Sequence, residues 1–401
     1  MTERLKVAVV FGGCSPEHDV SIVTGLQALQ ALDGQRFEAF PLYLTVDGEW
    51  LLGNKLRERS FYLPDAAARA KLMRVSAPYT APGGRPVLRA LDKSMFGRAR
   101  DVEFDVALLA LHGGTGEDGS LQGLFEVTGV PYTGMRPLAC AVAMDKIATK
   151  RLLQGAGIPL LPQAELVRPD GARFLPRAVL EEAVRQVGLP CIVKPAHLGS
   201  SIGVARITSV EELETVLPTI FALDQTAMLE PYVTNLVEYN IAVCAAGGDI
   251  QTSAIECPKR VEDLLDFRQK YLSGPGKSSQ GKALGQSSEG MLSLTRDINP
   301  ALPPALEDGI RQHAATAFRL LGAVGAPRID FLCDSVAGRF WLNEINPCPG
   351  SFAFFLWQAA RAPRLFTELL SHLVDEALAA HRRTRLPSDP VPAEARLFKR
   401  S

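Results

Sequence analysis

Apolar residues come in short unbroken runs that stop at glycines, and this pattern recurs through the first third of the chain. "KVAVVFGG" (6–13) and "FDVALLALHGG" (104–114) are the clearest cases. A continuous apolar run, rather than strict alternation, predicts a strand covered on both faces. Between them, "SPEHDVSIVTGLQALQAL" carries Ser15 at an N-cap position, Pro16 at the first helical position, and Glu17 and Asp19 in the first turn. That order predicts a helix start. "EAFPLYLT" predicts a second strand and "GSLQGLFEVTG" a helix after the third. Strands alternating with helices imply a parallel sheet with helices on both faces. The intervening stretch 53–100 is basic and irregular and predicts no regular element.

Beyond residue 140 the pattern changes. "AMDKIATKRLLQGAG" (143–157) predicts one amphipathic helix stopped by Gly and Pro. "CIVKPA" and "VARI" predict a hairpin through the glycine-serine turn "HLGSSIG", and "AMLEPYV" a further strand. "VEYNIAVCAAGG" opens a third unit. In it "LEDGIRQHAATAFRLLGAVG" predicts a helix, and "PRIDFLCD…GRFWLNEIN" two strands joined by a turn. Residues 272–300, rich in Gly, Ser and Lys, predict a long loop of a length that usually serves as a functional lid. The expected class is α/β (α+β). Its expected units are residues 1–140, 141–235 and 236–385, the last with a lid at about 266–300, followed by a Pro-rich charged tail, 386–401.

Composition narrows the function by exclusion. A hydrophobic fraction of 47% and charged fraction of 22% are those of an ordinary globular protein, and 401 residues exceed one core. The net charge of −1 favours neither nucleic acid nor an anionic membrane as partner. No apolar run approaches the roughly 20 residues that span a bilayer. The start has no signal-peptide core, since "VAVVF" is too short. The seven scattered cysteines show no CxxC spacing. These features lead to the expectation of reduced thiols and a cytoplasmic location.

The strongest chemical signal is in the last hairpin. "RID" and "NEIN" each place polar side chains two apart on strands that otherwise carry Ile, Phe and Leu. Pairing through the turn would bring Asp330 near Glu344 and Asn346, hard oxygen donors suited to Mg²⁺ shared with phosphate. Arg328 adds a cationic fork for a carboxylate or phosphate. A solvated hairpin face would explain the alternation, but not why Trp341 and Leu342 lead straight into the acids. Lys194 ends a strand before "HLGSSIG", whose backbone N–H groups and hydroxyls, Ser201 among them, suit a phosphate. Lys146 lies upstream in "MDK", within reach of the same phosphates. Together these suggest a nucleotide held between two units. Two rival motifs fail. The P-loop pattern at "GPGKSS" has Tyr271 where its first glycine belongs. The GxGxxG match at Gly114, Gly116 and Gly119 encloses Glu117 and Asp118, which would repel a pyrophosphate.

"HGGTGEDGSLQG", "MDKIATKRLLQGAGIP", "KPAHLGSSIGV" and "RIDF…LNEINPCPG", in this order, resemble the D-alanine–D-alanine ligases of the ATP-grasp superfamily. "GGCSPEHDVS" resembles that family's opening loop, and the resemblance runs from about residue 6 to 360. It implies an ATP-grasp fold with ATP between the second and third units. By resemblance Lys146, Lys194 and Ser201 contact phosphates, Glu230 and Val233 the adenine edge, and Glu238 the ribose. Asp330, Glu344 and Asn346 match ligands of two Mg²⁺ ions, with Mn²⁺ as a substitute. Glu17, Ser200 and Tyr271 match the group holding the first substrate's ammonium. Without the resemblance, Glu17 reads as a helix-start acid favoured by the dipole, and His112 as a structural strand-end residue. Arg328 and the Gly350 N–H match the oxyanion contacts. The implied reaction forms an acyl phosphate and ADP, then a peptide bond, from small amino-acid substrates, in an enzyme often homodimeric.

Three departures bear on the acceptor. Where the family has a small hydroxyl residue and a Leu or Met binding the second substrate's carboxylate, alignment from Gly350 places Phe355 and Leu356. A phenyl ring cannot donate that hydrogen bond. His197 and Leu198 stand where a charged pair is common, and the stretch from Tyr271 to Arg328 is longer than usual. The sequence therefore leaves open a D-alanine–D-alanine ligase, a related ligase with a different acceptor, or a nucleotide-binding regulator without turnover.

Overall fold

A computed structural model describes residues 3–62, 69–81, 83–91, 93–94, 97–98, 101–171, 174–259 and 296–384, with 392 and 395. Tyr271, the expected lid up to residue 295 and nearly all of the tail lie outside the described residues.

The first sheet is built on β1 (Leu5–Gly12), the "KVAVVFG" run, buried along most of its length as the pattern required. Helix α1 (His18–Ala31) crosses from it to β2 (Phe37–Leu44). Strands β3 (Trp50–Leu52) and β4 (Met73–Val75) follow, and β5 (Val106–Leu109) returns to β1. The order is β5-β1-β2-β3-β4. The two pairings among the strands predicted from the apolar runs are parallel, whereas β3 and β4 add antiparallel pairings at one edge. β4 and most of the small pairings at 79–103 fall in the stretch that predicted no regular element. The helix predicted from Ser15 begins at His18, because the Ser15 hydroxyl accepts the Glu17 N–H in a turn that precedes it.

Helix α2 (Ser120–Thr128) covers the first sheet, and two helices then replace the one predicted at 143–157. α3 (Pro137–Met144) ends at Asp145, whose carboxylate accepts the N–H groups of Ile147 and Ala148 at 2.9 Å each. That cap starts α4 (Lys146–Leu153) in a new direction.

The second sheet has the order β6-β9-β7-β8 and is antiparallel. Its strands are β6 (Ala164–Val167), β7 (Cys191–Pro195), β8 (Ala205–Ile207) and β9 (Thr226–Pro231). Helices α5 (Arg177–Val187) and α6 (Val210–Leu223) close its core. α6 starts with a capping box: Ser209 accepts the Glu212 N–H, while the Glu212 carboxylate accepts that of Thr208.

The third sheet is also antiparallel, in the order β12-β11-β10-β13-β14. It comprises β10 (Leu236–Ala246), β11 (Asp249–Pro258), β12 (Arg296–Ile298), β13 (Arg328–Asp334) and β14 (Arg339–Asn346). β12 corrects the loop expectation for 272–300: its last residues pair along β11 as an edge strand. α7 (Pro304–Leu320) and α3 pack on one face of this sheet. On the other side, Phe352, Leu356 and Trp357 join Phe11, Leu26 and residues of α9 (Phe366–Thr384) in one core. The first and third sheets are thereby fixed to each other beside the last hairpin. None of the seven cysteines is disulfide-bonded, and among the described residues no helix is long and apolar enough to cross a membrane.

Candidate active site

Pairing of β13 with β14 sets Asp330 opposite Glu344 and Arg328 opposite Asn346. Arg328 and Asp330 stand two apart on β13, and Glu344 and Asn346 two apart on β14, so each pair shares one face of its strand. Arg328 donates from Nε and Nη2 to the two Asp330 carboxylate oxygens at 2.7 Å each, and Asn346 Nδ2 donates to Asp330 at 2.9 Å. Burial pushes the Asp330 carboxyl up to about 6, with Arg328 opposing and Glu344 adding to the rise. Burial also acts to raise Glu344, but Lys146, Lys194 and Arg328 hold it below its ordinary value. Lys146 lies 3.5 Å from Glu344 and donates to the Leu198 carbonyl at 2.6 Å. Among the described residues no group of three or more His, Cys, Asp or Glu forms a metal cluster. The set here is two carboxylates and an amide, and hard oxygens facing one another in a buried strand pair fit Mg²⁺, whose charge would offset their repulsion.

Lys194, next to last in β7, reaches Glu230 of β9 at 2.5 Å and Asn343 Oδ1 at 3.1 Å. Glu230 also accepts from Lys150, whose ammonium donates to the Leu161 carbonyl at 3.1 Å. Burial favours the neutral form of Glu230, yet Lys194 and Lys150 together hold its carboxyl well below the usual range. Glu230, expected at an adenine edge, lines the smaller cavity while its carboxylate pairs with two lysines. The sequence reading missed Lys150, although it follows Lys146 by four residues on α4 and so shares its face. Asn343 was missed as well.

Two cavities adjoin at these residues. The smaller, about 150 Å³, is lined by Val233 and Leu332 on its apolar side and by Lys194, Glu230 and Ser201 on its polar side. The larger, about 370 Å³, is lined by Glu17, Ser200, Arg328, Asn346, Gly350 and others. Lys146, Glu238, Asp330, Glu344 and Ser201 belong to both walls. In the larger cavity Ser200 donates its hydroxyl to the Glu17 carboxylate, joining the first and second sheets across 183 residues. Ser200 and Ser201 adopt left-handed φ values of 52° and 55°, strain of about 1–3 kcal/mol each that a functional turn can hold. Gly113 is required nearby: at φ 65° its Cβ would lie 2.6 Å from a Glu17 carboxylate oxygen.

Glu117 accepts the Gly113 N–H at 2.6 Å and the Cys348 N–H at 2.9 Å, tying the first glycine loop to the "NPCPG" turn. Burial pushes its carboxyl up to about 7 against those two N–H groups. His112 is buried as well. Thr24 Oγ1 accepts the Ser351 N–H at 3.0 Å and shares a hydrogen bond of 2.8 Å with His112 Nε2. Burial lowers the His112 pKa to about 4, the Cys348 backbone opposing and Arg328 contributing. Because that value lies below the ordinary 6.5, the unfolded chain binds the extra proton between the two. Stability is complete above pH 6.5 and is lost as pH falls towards 4, by roughly 3 kcal/mol. In urea unfolding, the advantage of the unaltered protein over His112→Gln is expected to shrink by about that amount across this range. An advantage constant with pH would contradict a neutral buried His112.

Phe355 and Leu356, expected in an acceptor pocket, are placed otherwise. Ser351, Phe352 and Ala353 form a left-handed turn that leads into α8 (Phe354–Gln358). That helix buries Leu356 completely in the core shared by the first and third sheets. Phe355 is not part of the larger cavity's wall; its ring lies 4.5 Å beneath the Arg296 guanidinium. His197 holds its turn by bonding Asp224 through both its backbone N–H and Nδ1, while Leu198 lines the smaller cavity.

The D-Ala-D-Ala ligase N-terminal family model matches residues 6–135, and the corresponding C-terminal model matches residues 152–375. The chain belongs to the D-alanine–D-alanine ligase family. A D-alanine–D-alanine ligase from Chlorobium chlorochromatii is 33% identical over 383 residues, covering 95% of this chain and 99% of that relative. One from Corynebacterium aurimucosum is 33% identical over 391 residues, covering 94% and 99%. The crystal structure of the Helicobacter pylori D-alanine–D-alanine ligase superposes with TM-score 0.68 at 27% identity, covering 93% of this chain and 99% of that one. The Coxiella burnetii D-alanine–D-alanine ligase gives TM-score 0.73 at 23% identity over 95% and 96%, a likeness of fold. The family's ATP-grasp architecture accounts for the two antiparallel sheets that flank the smaller cavity of this ligase-family chain.

Proposed function

We propose that this chain is an ATP-dependent D-alanine–D-alanine ligase. The observation that carries the reading is the shared wall of the two cavities, where Lys146, Asp330 and Glu344 stand between the smaller one, lined by Lys194, Ser201 and Val233, and one lined by Glu17 and Ser200. In this reading residues 1–140, 141–235 and 236–385 are the three structural units. Val233 and the Glu230 backbone border the base, Glu238 the ribose, and Lys194 and Ser201 the phosphates.

Glu17, braced by Ser200 and joined by Tyr271, binds the ammonium of the first D-alanine and aims its carboxylate at the γ-phosphorus. The carboxylate oxygen bonds to phosphorus as the bridging P–O bond breaks, giving ADP and an acyl phosphate. Lys146 and Lys194 neutralise charge on the phosphates, so positioning and electrostatics carry the step. Asp330, Glu344 and Asn346 would hold two Mg²⁺ ions, or Mn²⁺ in their place, which when bound spread the charge of the transferring group. The second amine then attacks the acyl carbon and loses a proton. Arg328 and the Gly350 N–H stabilise the oxyanion, and inorganic phosphate leaves as the peptide bond closes. A homodimer, a cytoplasmic location and a role in peptidoglycan synthesis belong to the same reading and rest on family membership alone.

A second reading, a ligase with a different acceptor, is favoured by the missing hydroxyl at Phe355. ADP release with Mg²⁺-ATP and a panel of amino and hydroxy acids, singly and paired, with products weighed by mass spectrometry, separates the two. The dipeptide from D-alanine alone is the expected result. Turnover only with D-alanine plus another compound selects the second reading, and no ADP release with any acid overturns both.

A further inference from the structure

We propose that Arg296 anchors the carboxylate of the acceptor substrate, with Phe355 as the platform that holds its guanidinium flat beside the larger cavity. The inference rests on the ligase reading above and names a residue for the one subsite that reading leaves without a donor.

Arg296 is the first residue of the edge strand β12, paired with Pro258 of β11, and both line the larger cavity. The same wall carries the carboxylates of Glu17, Glu256, Asp330 and Glu344. An incoming carboxylate therefore meets an acidic surface and needs a cation with donors to spare. Lys146 is drawn to Glu344 and the Leu198 carbonyl. Arg328 has its Nε and Nη2 fork closed on Asp330, and its remaining edge is the one the ligase reading gives to the oxyanion. Arg296 differs in this respect. Its Nη1 donates to Glu256 at 2.7 Å, but among the described residues its Nε is buried with no hydrogen-bond partner. A guanidinium offers two edges, Nε with Nη2 and Nη1 with Nη2, each able to take a carboxylate through two parallel bonds. In Arg328 the first edge is used; in Arg296 its Nε has no partner among the described residues.

The neighbours fix that edge in place. The Phe355 ring lies 4.5 Å from the Arg296 guanidinium carbon, and a stacked cation keeps its in-plane N–H groups available to a ligand. Glu256, almost fully buried, holds Nη1 and accepts from Asn240 Nδ2 at 3.1 Å. A partner for Glu256 alone would not require an aromatic platform or leave Nε buried and unpaired. The phenyl ring that cannot donate a hydrogen bond thus supports a group that can.

The experiment measures steady-state kinetics of the full chain with D-alanine as donor and either D-alanine or D-alaninamide, which lacks the carboxylate, as acceptor. Arg296→Lys keeps the charge against Glu256 and loses the fork, so folding is preserved. Its acceptor KM for D-alanine is expected to rise roughly 10- to 100-fold, as expected for a lost charge-assisted pair, while the KM for ATP stays within about twofold. The preference of the unaltered enzyme for D-alanine over D-alaninamide should fall by the same factor. Phe355→Leu should give a smaller shift in the same direction. A purely structural Arg296 would lower activity with both acceptors alike, and an unchanged preference in Arg296→Lys overturns the inference while leaving the ligase reading intact. Absence of ADP release by the unaltered chain with every acid acceptor overturns both.

Discussion

Glu230→Gln is expected to destabilise the protein by about 3–5 kcal/mol, the cost typical of leaving a buried charge unpaired. Glu230 is 4% exposed and lies between Lys150, also 4% exposed, and Lys194, 9% exposed. Neutralising it leaves two ammonium groups facing each other with little water to screen them. Lys150→Met should cost much less, because Glu230 keeps Lys194 as partner. The double variant Lys150→Met/Glu230→Gln removes one of the stranded cations and should be more stable than Glu230→Gln alone, a non-additivity expected only of groups in one network. Urea midpoints of the four proteins, measured with tryptophan fluorescence and circular dichroism in parallel, check the cycle. Losses below about 1 kcal/mol that add simply would mean that water reaches the trio and the pairs behave as surface ion pairs.

The residues legible in the sequence are those whose chemistry contradicts their local pattern. Asp330 and Glu344 stand out because acids interrupt strands that otherwise carry Ile, Phe and Leu, and antiparallel pairing through a short turn then dictates that they face each other. Lys194 stands out for the same reason, at the end of the apolar run "CIVK". Lys150 does not, because a lysine in "KIATKRLL" is what any solvated helix face carries, and only the third dimension turns it to Glu230. Arg296 is hidden differently. It sits where a Gly-, Ser- and Lys-rich stretch gives way to a three-residue edge strand, too short for alternation to register. The break between α3 and α4 was missed because apolar periodicity runs through Asp145, although an Asp before Lys146 is itself a capping signal. The apolar run "FAFFLW" shows its composition but not its direction. A left-handed turn at Ser351–Ala353 decides that Leu356 enters the core and Phe355 meets a guanidinium.

Arg328→Lys is expected to lower kcat of ADP-coupled dipeptide formation by roughly 10²–10³-fold, the usual effect of losing one donor to a developing oxyanion. A lysine keeps a positive charge beside Asp330, which would otherwise be stranded in a buried site, so the variant should fold and bind ATP nearly as well as the unaltered chain. What it cannot keep is a planar guanidinium that holds Asp330 with Nε and Nη2, retains a second edge of donors, and belongs to the wall of the larger cavity. If that edge serves charge that exists only as the acyl carbon becomes tetrahedral, kcat falls while the KM values for ATP and the first amino acid hold. Isotope exchange separates the two halves of the reaction: positional exchange of bridging oxygen in ATP, which reports the acyl phosphate, should persist in Arg328→Lys. Loss of that exchange, or a large rise in the KM for ATP, would instead assign Arg328 to the phosphoryl-transfer side through its grip on Asp330. The two outcomes distinguish a residue that acts on the second step directly from one whose only task is to hold a carboxylate in place.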